Sequence, residues 1–252
     1  MARPFTLPSG LIRSVLPAVR ADMKERFVVN LRVPVAAMAE QLPARLRPQD
    51  VDGWAIASFC ALNLENVTVA PLPTIAGWRS LSAAERWGVL DEAGPAVYVL
   101  ERLTSSRLGS VFTQLGFSAP HGHLGLRVSQ DADGATVEAR TSSETLLRAQ
   151  LRHTESLGGS VFADVEAFAA FLAAGVRSYG TSRHPGRLTV LDLHKTDASY
   201  DPMRVEAAWG SFVDRWRALG GELDSAFRTV NADYEWTYHG LVDESPSPCR
   251  TH

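Results

Sequence analysis

The stretch 94–128, GPAVYVLERLTSSRLGSVFTQLGFSAPHGHLGLRV, decides the predicted fold. It opens with a strand pattern over 96–103 and closes with a second one over 121–128. Between them lies a segment rich in Ser, Thr and Arg, whose pattern predicts a helix over 107–115. Two strands that flank a polar insert are typical of a pocket wall. We therefore expect functional residues in this stretch.

Strand patterns also dominate the chain on both sides of this stretch. They cover residues 26–33, 54–68, 135–141, 146–153, 188–194 and 234–238, with a hairpin turn at 131–134. Helices are predicted over 35–41, 82–90, 164–174 and 201–219. Many strands, few helices and no alternation of strand with helix predict a β-rich α+β domain with a curved or closed antiparallel sheet. We expect an N-terminal arm over 1–25, one domain over 26–242 and a disordered tail over 243–252.

Composition excludes several classes of function. The 252 residues carry a formal net charge of −3 and no long basic run, which argues against a nucleic-acid partner. No apolar run approaches the roughly 18 residues of a membrane span, so no membrane partner is expected. Cys60 and Cys249 form neither a disulfide framework nor a metal cluster by spacing. These features predict a cytoplasmic protein that needs no cofactor.

His123 is the leading candidate for a catalytic residue, with His121 and Arg127 on the same face of the predicted strand 121–128. An imidazole titrates near neutral pH, and an arginine can hold a carboxylate or an enolate. Glu65 is a second candidate acid or base, because it is the one carboxylate in a long apolar strand. Four further residues are candidates for substrate binding: Tyr98, Arg102, Ser106 and Arg107. Alternation along the predicted strand 96–103 places Tyr98 and Arg102 on the same face.

Each of these assignments has a simpler alternative. Polar residues that alternate along an antiparallel strand are usually its solvated face, and Glu65 can lie at the solvent-facing end of its strand. His121 and His123 could bind a metal, since residues i and i+2 point the same way, and Asp192 and His194 repeat that geometry. No third ligand is fixed by spacing, so we predict no metal. The serines lack the G-x-S-x-G frame of a serine hydrolase.

Several short motifs occur in an order that resembles the uncharacterised bacterial branch of the acetoacetate decarboxylase-like superfamily. They are Leu42-Pro43, Leu46, Pro48, Val51-Asp52-Gly53 and Ser106-Arg107, within the segments RFVVNLRV, VDGWAIASFCALNLENV, GPAVYVLERL and RLTVLDLHK. The resemblance covers about residues 24–200. It implies a cone-shaped, double-layered β-barrel around a central cavity, in a fold often seen in oligomers, so a homo-oligomer is expected.

The resemblance also implies a test of chemistry. Acetoacetate decarboxylases form a Schiff base through a lysine in a Gly-Phe-Pro-Lys-Lys-like segment, and the similar segment here, 116–120, contains no lysine. The chain has two lysines, Lys24 in the predicted arm and Lys195 after a late strand, and neither is a convincing substitute. We therefore predict no Schiff-base decarboxylation.

Two functions fit this pattern. The first is a lyase-type enzyme, such as a biosynthetic dehydratase, cyclase or decarboxylase-like protein, acting on an organic acid or polyketide-like carbonyl compound. In it, His123 is the acid or base, Glu65 and His121 assist, and Arg107 and Arg127 position an anion. The second is a non-catalytic carrier or sensor of small molecules that keeps the cavity. The two differ in whether the bound ligand is chemically changed.

Overall fold

A computed structural model describes residues 18–70, 77–107, 109–111, 122–196 and 199–245 of the chain. The strands are β1 (Val19–Pro34), β2 (Arg47–Pro48), β3 (Trp54–Val69), β4 (Trp78–Asp91), β5 (Gly94–Thr104), β6 (Gly122–His123), β7 (Gly125–Gln130), β8 (Gly134–Arg140), β9 (Thr145–His153), β10 (Arg177–Thr181), β11 (Arg187–Lys195), β12 (Asp201–Trp209) and β13 (Glu222–Asp243). The helices are α1 (Val35–Ala39), α2 (Val165–Ala174) and α3 (Ser211–Ala218). The chain is β-rich with few helices, as predicted.

Seven strands pair in a ring. The order is β1–β3–β4–β5–β10–β11–β13, and β13 also pairs with β1 along most of its length. The β5–β10 pairing is parallel, whereas the other six pairings of the ring are antiparallel. The sheet is therefore mixed, and the prediction of a purely antiparallel sheet is wrong at this seam. The cone shape stays a prediction.

A second layer of strands covers part of the outer face of the ring. β12 pairs with β13 and leads to β9, β8 and β7, and α3 packs beside them. Alternate residues of β1 and β3, such as Val29 and Phe59, meet this layer in the largest apolar cluster. The ring of Phe59 lies 5.5 Å from that of Phe212 on α3. One face of β1 and of β3 is thus buried against the outer layer, which leaves the other face of these strands for the interior.

Helix α2 packs against the inner face of the ring. Asp164 caps its first turn, because its side chain accepts a hydrogen bond from the Ala167 N–H at 2.7 Å. Phe168 stacks on Phe227 of β13 with the ring centroids 3.5 Å apart. At Gly88 of β4, an added Cβ would stand 2.5 Å from the ring of Phe171, so a glycine is required for this approach. The helix therefore fills one part of the interior with aromatic side chains.

Several predicted elements differ from the observed ones. Residues 19–25 belong to β1 and not to a separate arm, because they pair with both β3 and β13. The predicted helix over 82–90 is wrong, because this segment is part of β4. Its Ala and Leu content favours a helix, but pairing with β3 and β5 on both sides overrides that preference.

The predicted helix over 201–219 is wrong in its first half. Residues 201–209 form β12, which pairs with β9, and only the second half forms α3. Gly210 separates the two with φ of 122°, and a Cβ there would lie 2.6 Å from the Leu146 carbonyl oxygen. The apolar residues predicted as one helical stripe are therefore divided between a strand and a helix.

Other predicted segments reach the boundaries of the described residues. Arg107 and residues 109–111 are helical, and the rest of the helix predicted over 107–115 lies outside the described residues. The predicted tail is wrong at Asp243, which ends β13, and residues 246–252 also lie outside. Within the described ranges, no helix is long and apolar enough to cross a membrane.

Candidate active site in the ring interior

A cavity of about 170 Å³ lies inside the ring of strands. Every strand of the ring contributes to its lining: Val19 from β1, Cys60 from β3, Ser82 from β4, Arg102 from β5, Ser178 from β10, Leu191 from β11 and Tyr234 from β13. The cavity is therefore a property of the ring as a whole and not of one loop.

Cys60 lies at one end of this cavity, and Arg26 on the neighbouring strand β1 contacts it without itself lining the cavity. Arg26 is only 1% exposed, and its Nη2 donates a hydrogen bond to Cys60 Sγ at 3.2 Å. Its Nη1 donates to the Tyr234 hydroxyl at 3.4 Å, whereas its Nε has no hydrogen-bond partner among the described residues. Arg86 also hydrogen-bonds Cys60 and lines the cavity. We call Arg26, Cys60, Arg86 and Tyr234 the arginine cluster.

The charged side chains of the arginine cluster shift one another's pKa values. Burial alone would raise the pKa of the Cys60 thiol, but Arg26 and Arg86 outweigh burial and lower it. Burial alone would lower the pKa of Arg26, but its contacts with Cys60 and Tyr234 raise it. Burial, together with the charge of Arg26, lowers the pKa of Arg86. The cluster therefore favours a negatively charged group beside its guanidiniums.

Lys195 lies at the end of β11, in a neighbouring pocket that shares Tyr234 with the cavity. Its Nζ donates a hydrogen bond to the Tyr200 hydroxyl at 3.0 Å. Burial lowers the pKa of Lys195 to about 7, and the charges of Arg26 and Arg86 contribute to this shift to a smaller extent. The amine of Lys195 is thus partly neutral at neutral pH, which ordinary lysines are not.

Arg102 lines the cavity from β5. Gly180 on β10 makes room for it, because a Cβ at Gly180 would collide with the Arg102 guanidinium. Burial and the charge of Arg86 lower the pKa of Arg102 to about 10, so it remains protonated at neutral pH. Arg86 and Arg102 keep some accessible surface although they lie deep in the protein, because they face the cavity.

No carboxylate balances these arginines within the part of the chain that the structure describes. Arg26, Arg86 and Arg102 have no carboxylate oxygen within 4.0 Å there. The nearest buried acid along β4, Glu85, faces the outer layer, where it accepts hydrogen bonds from Trp87 Nε1 at 2.8 Å and Trp216 Nε1 at 3.2 Å. Burying cations without a counter-charge is costly. The arrangement is suited to a bound anion.

The sequence prediction of Arg102 and Tyr98 on one strand face is wrong. Arg102 lines the cavity, whereas Tyr98 packs edge-on against Trp87 under the outer layer, with ring centroids 5.3 Å apart. A bulge explains the difference, because Glu85 pairs with Glu101 and Arg86 with Val99, which leaves Leu100 unpaired. An extra residue reverses the alternation of side chains along a strand.

The other predicted site residues lie apart from the arginine cluster. Glu65 pairs with Arg79 at 3.2 Å. His123 and Arg127 are exposed, and neither is among the described residues that line the cavity. His121 lies outside the described residues.

Ser106 and Arg107 stand at the start of a short helical segment. The Ser106 Oγ accepts a hydrogen bond from the Gly109 N–H at 3.0 Å, and Arg107 is exposed. The hydroxyl therefore caps a turn, and neither residue lines the cavity among the described residues. No group of three His, Cys, Asp or Glu residues suited to a metal occurs within those residues either.

Sequence analysis missed the residues of the arginine cluster and Lys195. Arg26 and Cys60 lie in strand patterns that also hold Asn30, Arg32 and Asn63, so neither residue stands out in the sequence. Arg86 was hidden by the incorrect helix over 82–90. No local pattern indicates that Lys195, at the end of β11, lies beside residues of β1 and β4.

Comparison with known proteins agrees with this fold. The model of the family DUF2071, described as an uncharacterized conserved protein, matches residues 20–216. No curated protein matches the sequence.

Three solved structures have a similar fold. An acetoacetate decarboxylase from Legionella pneumophila has a TM-score of 0.66 and 11% identity, over 96% of this chain and 92% of that one. The enduracididine biosynthesis enzyme MppR has a TM-score of 0.60 and 15% identity, over 96% of this chain and 90% of that one. An acetoacetate decarboxylase-like enzyme from Sphingomonas wittichii has a TM-score of 0.59 and 18% identity, over 96% of this chain and 98% of that one.

Proposed function

The chain belongs to the DUF2071 family, and we propose that it is an enzyme acting on a small organic acid or polyketide-like carbonyl compound inside the ring. One observation carries the proposal: Arg86 and Arg102 line the cavity, Arg26 donates hydrogen bonds to its lining residues Cys60 and Tyr234, and none of the three arginines has a carboxylate partner among the described residues. Arginine forks bind carboxylates with two parallel hydrogen bonds. The substrate's carboxylate supplies the missing negative charge.

We assign the binding of this carboxylate to Arg86 and Arg102, because both line the cavity. The reaction is proton transfer, as in dehydration, cyclisation or carbon–carbon cleavage. We assign the acid–base role to Lys195, which lies in a neighbouring pocket that shares Tyr234 with the cavity, because a group with a pKa of about 7 gives and takes protons at neutral pH. Tyr234 and Cys60 are positioning residues in the cavity wall, because Arg26 donates a hydrogen bond to each of them.

A second chemistry is favoured by the same amine. A lysine that is desolvated and lies next to a cation is activated as a nucleophile toward carbonyl groups, and Lys195 meets both conditions. The absence of a lysine from 116–120 argued against a Schiff base. Lys195 offers an amine from a different strand, so an imine at Lys195 is the second candidate. One similar structure is described as MppR complexed with pyruvate, a small oxo acid.

Mass spectrometry of small oxo acids incubated with the protein tests the proposal. We expect loss of substrate and a new product for at least one acid, with none in a sample of heat-inactivated protein. Saturable binding of the acids without any product would instead favour the carrier or sensor. Sodium borohydride added with pyruvate separates the two chemistries, because it reduces an imine to a stable adduct. A mass increase on the peptide that contains Lys195 supports the imine, and an unmodified peptide supports proton transfer alone.

The role of His123, with His121 and Glu65, stays a proposal of lower rank, because the described geometry keeps His123 and Glu65 outside the cavity lining. A cytoplasmic location and a homo-oligomer are also retained as proposals.

A further inference from the structure

The cavity differs sharply between its two ends. At one end are the arginine cluster and Arg102. At the other end the lining is apolar and aromatic: Val19, Leu64, Val67, Trp78, Leu193 and Trp236. These residues also form a separate apolar cluster, distinct from the core beneath the outer layer. The cavity therefore has a cationic end and an apolar end.

The two ends are far apart along β3 and β4, whereas they adjoin along β13, where the ring centroids of Tyr234 and Trp236 lie 5.4 Å apart. β4 contributes Arg86 at the cationic end and Trp78 at the apolar end, and β3 runs from Cys60 to Val67 beside it. Eight residues of strand separate Arg86 from Trp78, which corresponds to about 26 Å at ~3.3 Å per residue. A short acid bound at the arginines would leave the apolar end in contact with water or empty.

The polar residues between the two ends do not require a polar ligand. Ser80 Oγ lies 2.7 Å from Thr104 Oγ1 and 3.0 Å from Ser82 Oγ, so these hydroxyls hydrogen-bond one another. Leu62 and Leu191 also line the cavity. The middle of the cavity can thus accept an apolar chain without leaving a buried hydroxyl unsatisfied.

We propose that the ligand is an amphipathic carboxylic acid, with its carboxylate on Arg86 and Arg102 and an apolar tail extending toward Trp78 and Trp236. This inference rests on the proposed function for the carboxylate and adds the tail. Burial of the tail supplies affinity in proportion to its apolar area, and the arginines fix its direction. Short or wholly polar acids bind weakly in this account.

Titration calorimetry with butanoate, octanoate and octan-1-ol tests the tail and the head group separately. Each buried methylene strengthens binding up to about fourfold, so we expect octanoate to bind at least about tenfold tighter than butanoate. Octan-1-ol lacks the charge and should bind more weakly than octanoate. Equal affinities of octanoate and butanoate would overturn the inference.

Two variants test the carboxylate end and the tail end of the site separately. Arg102→Gln should weaken octanoate binding at least about tenfold and leave octan-1-ol within about twofold. Leu193→Asn should remove most of the preference for octanoate over butanoate. Arg32→Gln, which breaks a surface ion pair with Glu222, is the control and should match the wild type. If Arg102→Gln lost affinity for octanoate and octan-1-ol equally, this would contradict the placement of the carboxylate on Arg102.

The two proposals fail in different ways. Tight octanoate binding with no turnover of any acid would remove the enzyme and keep the amphipathic ligand. Turnover of short acids together with no gain from a longer chain would keep the enzyme and remove the apolar tail.

Discussion

The arginines inside the ring and those on its surface have different environments. On the surface, Arg32 pairs with Glu222 at 2.6 Å, and Arg228 pairs with Glu25 at 2.7 Å. Inside, Arg26, Arg86 and Arg102 have no carboxylate partner among the described residues. Surface pairs are neutralised locally and add little stability. Unbalanced interior cations persist at an energetic cost, and such sites are candidates for function.

The largest effect is expected from the interior amine. Lys195→Met should lower turnover by about 10² to 10⁴, because general acid–base groups contribute in that range. Lys24→Met is the matched control, since it replaces the other lysine of the chain, which lies on the surface 3.6 Å from Asp22. Steady-state kinetics measures both variants. Equal turnover by the wild type and Lys195→Met would remove Lys195 from the reaction.

The pH profile sharpens this assignment. If the neutral amine acts as a base, kcat/KM of the wild type should rise with pH to a plateau above about pH 7, where Lys195 loses its proton. A profile that stays flat between pH 6 and pH 8.5 would be inconsistent with this role.

The next largest effect is expected when the interior residue Arg102 is replaced, and the surface residue Arg32 serves as the comparison. Arg102→Gln should raise KM for an acid substrate by about 10- to 100-fold, because a hydrogen bond to a charged group contributes roughly 1.5–3 kcal/mol. Arg32→Gln should leave KM within about twofold, since it breaks a surface ion pair. Initial-rate kinetics gives both values. Similar KM changes in the two variants would show that the interior arginine does not bind the substrate.

Stability offers a test without substrate. The pKa of Lys195 is about 7 in the folded state and near the ordinary value when unfolded, so the unfolded state binds more protons between these values. Stability therefore rises with pH from about 7 to about 10 through this group. Lys195→Met should stabilise the protein by roughly 2–4 kcal/mol at pH 6 and by much less at pH 10. Denaturant unfolding at both pH values checks this, and Lys24→Met should show no such pH dependence.

A smaller effect is expected at Gly180. Gly180→Ala would push the Arg102 guanidinium aside, because the new Cβ occupies its place. We expect acid binding to weaken by about three- to tenfold while the free energy of unfolding changes by about 1 kcal/mol or less, because a flexible side-chain end can move. Calorimetry and denaturant unfolding together separate this from a folding defect. A fully retained affinity would show that Arg102 is not the anion's partner.

The smallest effect is expected at the strand that the sequence favoured. His123→Ala should leave turnover within about threefold, because His123 is exposed and lies outside the described cavity lining. A loss of a hundredfold or more would restore the sequence-based hypothesis and weaken the assignment to the ring interior. Activity assays on purified, folded variant protein decide between these outcomes.

The strands with simple alternation were predictable, whereas the site required long-range pairing. The patterns over 54–68 and 146–153 correspond to β3 and β9 within one residue at either end. Tyr98 was assigned to the wrong face because the bulge at Leu100 depends on the pairing of β5 with β4. Arg26, Arg86 and Lys195 meet only because β1, β4 and β11 belong to one ring, and no local sequence pattern carries that information.

A crystal structure of the protein with bound octanoate tests the central claim most directly. The account predicts the carboxylate within hydrogen-bond distance of Arg86 and Arg102, with the tail running between Leu64 and Leu193 toward Trp236. Octanoate bound beside His123 and Arg127 instead, or a cavity without it at saturating concentration, would contradict the claim that the ring interior binds the acid.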